Sequence, residues 1–202
     1  MVSYNAEEHA DALESFRSGP MWDELLKADR QMAELVLEQK ACTVVQGRFP
    51  DPESLDYLRD TIGLVTFLMD HGGVVVYDLQ TLALRTAEEW RERVFEPAVA
   101  VPLEHVVILH SANDDGTEWF HTLGMRKFGR PDLSFDGVGK LERAGGVRLF
   151  EHCIREQAMG WRIADGAVIG GDFGLGELNA EVGGDVEDLD FNNFHVEFSR
   201  ER

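Results

Sequence analysis

The stretch Thr117 to Asp136, TEWFHTLGMRKFGRPDLSFD, decides how the chain is read, because it joins a strand pattern, a glycine turn and a cationic patch within twenty residues. Ahead of it, Asn113-Asp114-Asp115-Gly116 carries the Asx and Gly residues that tolerate the positive φ of tight hairpin turns, and Glu104 to His110 is strand-like. A two-residue turn at Asp115-Gly116 sets His110 opposite His121, on one sheet face with Val106, Ile108 and Trp119. A turn one residue different separates the two histidines. Beyond the strand come Gly124, then Arg126, Lys127 and Arg130, then Pro131-Asp132. Pro131 fixes its own φ and biases Arg130 toward extended backbone, so the chain directs Asp132 stiffly, with Arg126, Arg130 and His121 as its expected partners.

That patch stands out against the rest of the composition. The 202 residues carry 38 acidic and 19 basic side chains, a formal charge of −19. Such a field repels nucleic acid and anionic membranes and attracts a protein partner with a basic surface. A hydrophobic share of 44% argues against disorder. Cys42 and Cys153 show neither C-x-x-C nor zinc-knuckle spacing and read as free thiols. The N-terminus has no basic-then-apolar leader, and no window approaches the roughly 18 apolar residues of a membrane span. The expected compartment is the cytoplasm.

The order of patterns predicts an α+β fold: a single domain over 1–202 with a mostly antiparallel central sheet flanked by helices. Residues 1–41 read as a helical segment, with Ala6 to Arg17 as one helix and Pro20 to Gln39 as another. Thr43 to Arg48 reads as a strand. Asp51 as N-cap and Pro52 at the first helical position start a helix with Leu55, Leu58, Ile62, Val65 and Met69 inward. The run Val74 to Asp78 follows, and strand, helix, strand in that order suggests a crossover. Thr86 and Glu89 spell a capping box, and Pro97 ends that helix. Ser134 to Val138 reads as a strand, and Leu141 to Ala158 as a helix interrupted or started by Gly145-Gly146. Asp165-Gly166 suggests a small hairpin between Ile163 and Ile169. From 163 to 199 there is no Lys or Arg, and the segment reads as an acidic, Gly-rich lobe closed by the strand Phe194 to Phe198.

Catalytic patterns are weak. Gly171 to Gly176 lacks the lysine of a phosphate loop. Asp185, Glu187, Asp188, Asp190 and Asn192 do not follow EF-hand spacing. Ser111, Ser134 and Cys153 have no nucleophile context. His105, His110 and His121 with Glu118 or Asp132 are metal-ligating types without a metal-site motif.

The elements Trp119-Phe120-His121-Thr122 with Gly124-Met125, and Phe128 to Leu133, resemble a family of bacterial domains of unknown function. Val75 to Asp78 followed by Thr86 to Trp90 is similar to an upstream element of that family. The resemblance spans about 42–198 and implies one compact α+β domain, without an activity to carry over.

The reading that follows is a non-catalytic binding module with no cofactor, whose binding residues are Trp119, His121, Arg126, Lys127, Arg130 and Asp132. The competing class is a metal-assisted hydrolase using His110, His121 and Asp132.

Overall fold

The computed structural model describes residues 1–49, 54–188 and 190–200. The fold is α+β. The chain forms two compact units, Met1–Val99 and Ala100–Arg202, and among the described residues no helix is long and apolar enough to cross a membrane.

In the first unit β1 (Val2–Asn5) precedes α1 (Ala10–Ser15), α2 (Pro20–Ala28) and α3 (Arg30–Leu37), and pairs antiparallel with β2 (Ala41–Val44). The single helix expected over Pro20 to Gln39 is two, because Asp29 leaves helical geometry and caps the second through the Met32 N–H. α4 (Asp56–Asp70) forms with its expected stripe of Leu58, Ile62, Val65 and Met69 half-buried, and its buried residue is Thr66. The Asp51-Pro52 start lies outside the described residues. β3 (Val75–Asp78) pairs antiparallel with β4 (Ala83–Thr86), so the expected crossover does not form: β2 and β3 belong to separate two-stranded ribbons. The Thr86/Glu89 capping box is present at α5 (Ala87–Trp90), whose Trp90 Nε1 donates to buried Thr66 at 3.0 Å.

The second unit is built on β5 (Val107–Ala112), β6 (Glu118–Leu123), β7 (Asp132–Val138), α6 (Arg143–Ala158), β8 (Val168–Ile169), β9 (Leu178–Asp185) and β10 (Asn193–Arg200). They form one six-stranded sheet in the order β5-β6-β7-β10-β9-β8, antiparallel except between β7 and β10. Parallel neighbours need a crossover connection, and α6 lies within it. Its buried residues Leu149, Phe150, Cys153, Ile154, Gln157 and Ala158 recur at helical spacing. Phe150 meets Phe120 edge-on at 6.2 Å and lies 6.1 Å from Phe198, which places the core between this helix and one sheet face. Leu133, Phe135, Val138, Leu178, Ala180 and Val196 are buried with them.

The acidic segment holds two long strands in its second half: β9 and β10 pair residue for residue from Leu178/Arg200 to Asp185/Asn193. Gly183, Gly184 and the interleaved acids hide β9 from pattern reading. Val168 and Ile169 pair with β9 and not with the residues before Gly166, so the expected local hairpin is an edge strand.

α6 begins before Gly145-Gly146 and runs through them. A Cβ on Gly145 would stand 2.3 Å from the Phe173 carbonyl oxygen, whereas one on Gly146 meets only Val138 and Phe120 at ordinary distances of 3.6 Å and more. Gly145→Ala should destabilise the fold by about 1–3 kcal/mol through this overpacking. Gly146→Ala should be neutral or stabilising by up to about 1 kcal/mol, the helix propensity gain. Urea unfolding of the two variants checks the contrast. Gln157 is fully buried on α6 with neither side-chain Nε2 nor Oε1 hydrogen-bonded. Gln157→Met, which keeps the shape and removes both polar atoms, should therefore raise the unfolding free energy by about 1–2 kcal/mol.

Candidate functional site

The hairpin between β5 and β6 has a three-residue loop. The Asn113 N–H donates to the Thr117 carbonyl at 2.9 Å, the Gly116 N–H donates to the Asn113 carbonyl, and Gly116 takes the left-handed φ of +84° that such loops place third. Asp115 accepts from both the N–H and the hydroxyl of Thr117, which holds its carboxyl below the usual range. The pairing is one residue away from that of a two-residue turn: His110 faces Phe120, and His121 faces Leu109. The two histidines consequently point to opposite faces of the sheet. His110 stacks on Phe120 and accepts from Arg143 at 2.6 Å on the helix side. His110, His121 and Asp132 do not converge on one ion, and among the described residues no three metal-ligating side chains do.

On the face away from α6, register places Leu109, His121, Ser134, Glu197 and Glu181 in one row across five strands. Trp119 stacks on His121 at 4.1 Å and donates from Nε1 to Ser134 Oγ at 2.9 Å. Phe191, from the β9–β10 loop, meets His121 and Trp119 edge-on at 5.9 and 6.2 Å and stacks on His195 at 4.4 Å. The result is an aromatic ledge in which Trp119, His121 and His195 are half-buried around a buried Phe191.

Nδ1 of His121 and Nδ1 of His195 are buried without a hydrogen bond, the latter 4.0 Å from an Asp188 oxygen, beyond hydrogen-bond reach. Burial pushes the His121 imidazolium pKa down, with Asp190 pulling the other way, so the ring favours its neutral form.

Asp132 sits beside this ledge but serves the fold. Its side chain is 1% exposed. Oδ1 accepts from Thr122 Oγ1 at 2.8 Å and from the Met125 N–H at 3.2 Å, and Oδ2 accepts from Asn193 Nδ2 at 2.8 Å. Thr122 in turn accepts from the Leu133 N–H, and Asn193 also donates to the Arg130 carbonyl. The expected guanidinium and imidazole partners are thus replaced by a threonine, an asparagine and a backbone amide. Burial raises the carboxyl to about 6, against the opposing pull of those hydrogen bonds and of Lys127.

The cationic stretch divides. Lys127 Nζ donates to the His105 carbonyl at 2.8 Å. Arg126 Nη1 donates to Asn192 O and Oδ1 at 2.7 and 3.1 Å. Arg126 and Arg130 line a concavity with Arg162, a residue the sequence reading passed over although it is the last base before the acidic segment. Phe191, His195, Glu181 and Glu197 were passed over as well. The alternation of Phe194, Val196 and Phe198 implies that His195 and Glu197 share the other face, and that signal was available.

Cys153 is buried, and burial pushes its thiol up to about 12, far from the thiolate that would react. In the β9–β10 loop Asp185 accepts from the Glu187 N–H, and Asp188 accepts from the N–H groups of Asp190 and Phe191, so these carboxylates shape their own loop. Comparison of the chain with protein-family models, with curated proteins and with solved structures gives no match.

A carboxyl whose pKa is raised by folding stabilises the protein fully below its unfolded value near 4, and that stabilisation is lost as pH rises through about 6. Asparagine does not titrate. The stability of wild type relative to Asp132→Asn should therefore fall by about 2–3 kcal/mol between pH 4 and pH 7. Paired denaturant melts at the two pH values measure it, and a difference independent of pH would contradict the buried-carboxylate account.

Proposed function

We propose that the second unit is a non-catalytic binding module that takes a basic protein segment on the open face of its sheet. The observation that carries this reading is the cross-strand pair Glu181 and Glu197, directly opposite each other in register and on one face. Like charges so placed repel and destabilise a sheet. A cationic side chain seated between them turns that repulsion into binding energy.

The surroundings support it. Residues 163–199 contain no Lys or Arg, so no cation of the segment itself lies among these acids. The neighbouring rings of Trp119, His121 and His195, half-buried around Phe191, offer aromatic surface with polar edges, a composition suited to gripping a partner's side chains. The charge of −19 steers a basic partner toward the chain at long range. Cys42 and Cys153, both free, suit a reducing compartment, and we place the interaction in the cytoplasm.

An alternating Arg-Tyr octapeptide titrated calorimetrically into the protein should bind, more tightly at 50 mM than at 150 mM salt, while its Glu-Tyr counterpart does not. The double variant Glu181→Gln/Glu197→Gln should bind about tenfold more weakly, equivalent to about 1.4 kcal/mol. A control that removes the same charge elsewhere, Glu7→Gln/Glu8→Gln, should lose no more than about twofold. Equal losses in the two double variants would reduce the effect to overall charge and defeat the proposal.

A further inference from the structure

The six-stranded sheet ends in two edges of different character. At one end β8 is two residues long, and a very short edge strand is one of the ways natural sheets avoid pairing with other chains. At the other end β5 runs for six residues, Val107 to Ala112, of which Leu109, His110, Ser111 and Ala112 are exposed. Lysine, proline and bulges are the other protections of an edge. β5 has none of them: from His105 to Asn113 there is no Lys, Arg, Asp, Glu or Pro, and the pairing with β6 runs without a register shift.

The ladder determines what this edge offers. Asn113 and Thr117 are a hydrogen-bonded pair at the turn. In the alternation of an antiparallel ladder, Ser111, Leu109 and Val107 therefore bond to β6, while Ala112, His110 and Ile108 turn their N–H and C=O groups away from it. β5 has no strand on that side, and among the described residues no hydrogen bond reaches those outward groups. Three donors and three acceptors stand in a row in the plane of the sheet.

A second copy of the same strand matches that row in full. With the two strands antiparallel about a two-fold axis at His110, Ile108 faces Ala112 of the other copy and the two His110 residues face each other, so that every outward group finds a partner. A slip of two residues leaves one residue of each edge unpaired. On the open face Leu109, 36% exposed, then lies opposite Ser111 of the second copy and diagonal to its Leu109. On the helix side Arg143, which donates to His110, stands 3.5 Å from Glu118, so the axis does not set bare like charges against each other. A basic partner segment would call for acids along the strand, whereas an uncharged strand suits a copy of itself.

We propose that two copies of the chain pair β5 with β5, joining their sheets edge to edge in a two-fold dimer. The axis stands across the sheet, so the open faces of both copies lie on one side. Six residues from each copy make a small contact, and the dimer is accordingly weak and dependent on concentration. The charge of −19 on each copy opposes it at low salt.

Sedimentation velocity of the full chain between about 10 μM and about 1 mM should pass from monomer to dimer, and at lower concentration in about 500 mM than in about 50 mM salt. Over the same range amide exchange should slow at Ile108, His110 and Ala112 and stay unchanged at Leu109 and Ser111, which already bond to β6. Ser111→Lys sets a lysine on the edge, and Ala112→Pro removes an outward N–H that the β6 ladder does not use. Each should weaken dimerisation at least about tenfold while moving the melting temperature by no more than about 2 °C. Val168→Lys, on the opposite edge, should leave the dimer unchanged. A dimer that survives both Ser111→Lys and Ala112→Pro belongs to another surface and overturns the proposal, as does a chain still monomeric at the highest concentration. A monomer whose Ile108, His110 and Ala112 amides are instead protected by the Arg-Tyr octapeptide overturns it too, because the edge then serves a foreign strand.

Discussion

The buried carboxylate of Asp132 joins parts of the second unit that have no local reason to meet. One oxygen holds the hydroxyl of Thr122 on β6 and the amide of Met125 in the turn that follows, and the other holds Asn193 at the start of β10. The two strands flanking β7 are thereby bound to the same side chain. Desolvating an ionised carboxylate is unfavourable, and three hydrogen bonds offset part of that cost, which is why its pKa rises to about 6 and no further. The parallel pairing of β7 with β10 starts at this residue, where Asp132 faces His195. The positions of the aromatic ledge and of the arginine-lined concavity both follow from that register.

Much of the architecture was legible where local chemistry speaks alone. The Thr86/Glu89 box, the helix α4, the strand around Phe198 and the mostly antiparallel sheet all appear as the patterns imply. The failures are failures of register and of long-range pairing. Turn sequences rich in Asp and Gly suit two-residue and three-residue loops alike, and here the difference sends His110 and His121 to opposite faces. β9 was lost because Gly183 and Gly184 look like loop, although both pair with β10 and Gly184 does so at a positive φ of +72°. Asp132 stands out in the sequence as a stiffly directed carboxylate, but its partners could not be named: Asn193 is 61 residues away, and a sequence pattern carries no sign of such a contact.

The second unit separates its charges in space. Nine acids between 163 and 199 crowd β9, β10 and their loops, while three arginines from the β6–β7 turn and the segment after α6 line one concavity. Alternation along β9 and β10 keeps the two apart, since Glu181 and Val182, or Phe194 and His195, are neighbours in sequence on opposite faces. One pair of strands thus presents an anionic, aromatic surface on one side and an apolar wall beside cations on the other. Neither character is visible in the overall charge.

The strand order also sets a schedule. β10 lies between β7 and β9, inside the sheet, yet it is the last strand of the six in sequence. During synthesis β5, β6, β7 and α6 leave the ribosome well before it, and β7 then carries an unpaired edge with Asp132 still lacking Asn193. Such an edge, apolar at Leu133 and Phe135, is a template for pairing with another chain. β9 is likewise unsupported until its hairpin partner arrives. The sheet is therefore completed from its middle and late, and while it waits the acids of the emerging segment, by repelling one another between chains, help to keep incomplete copies apart.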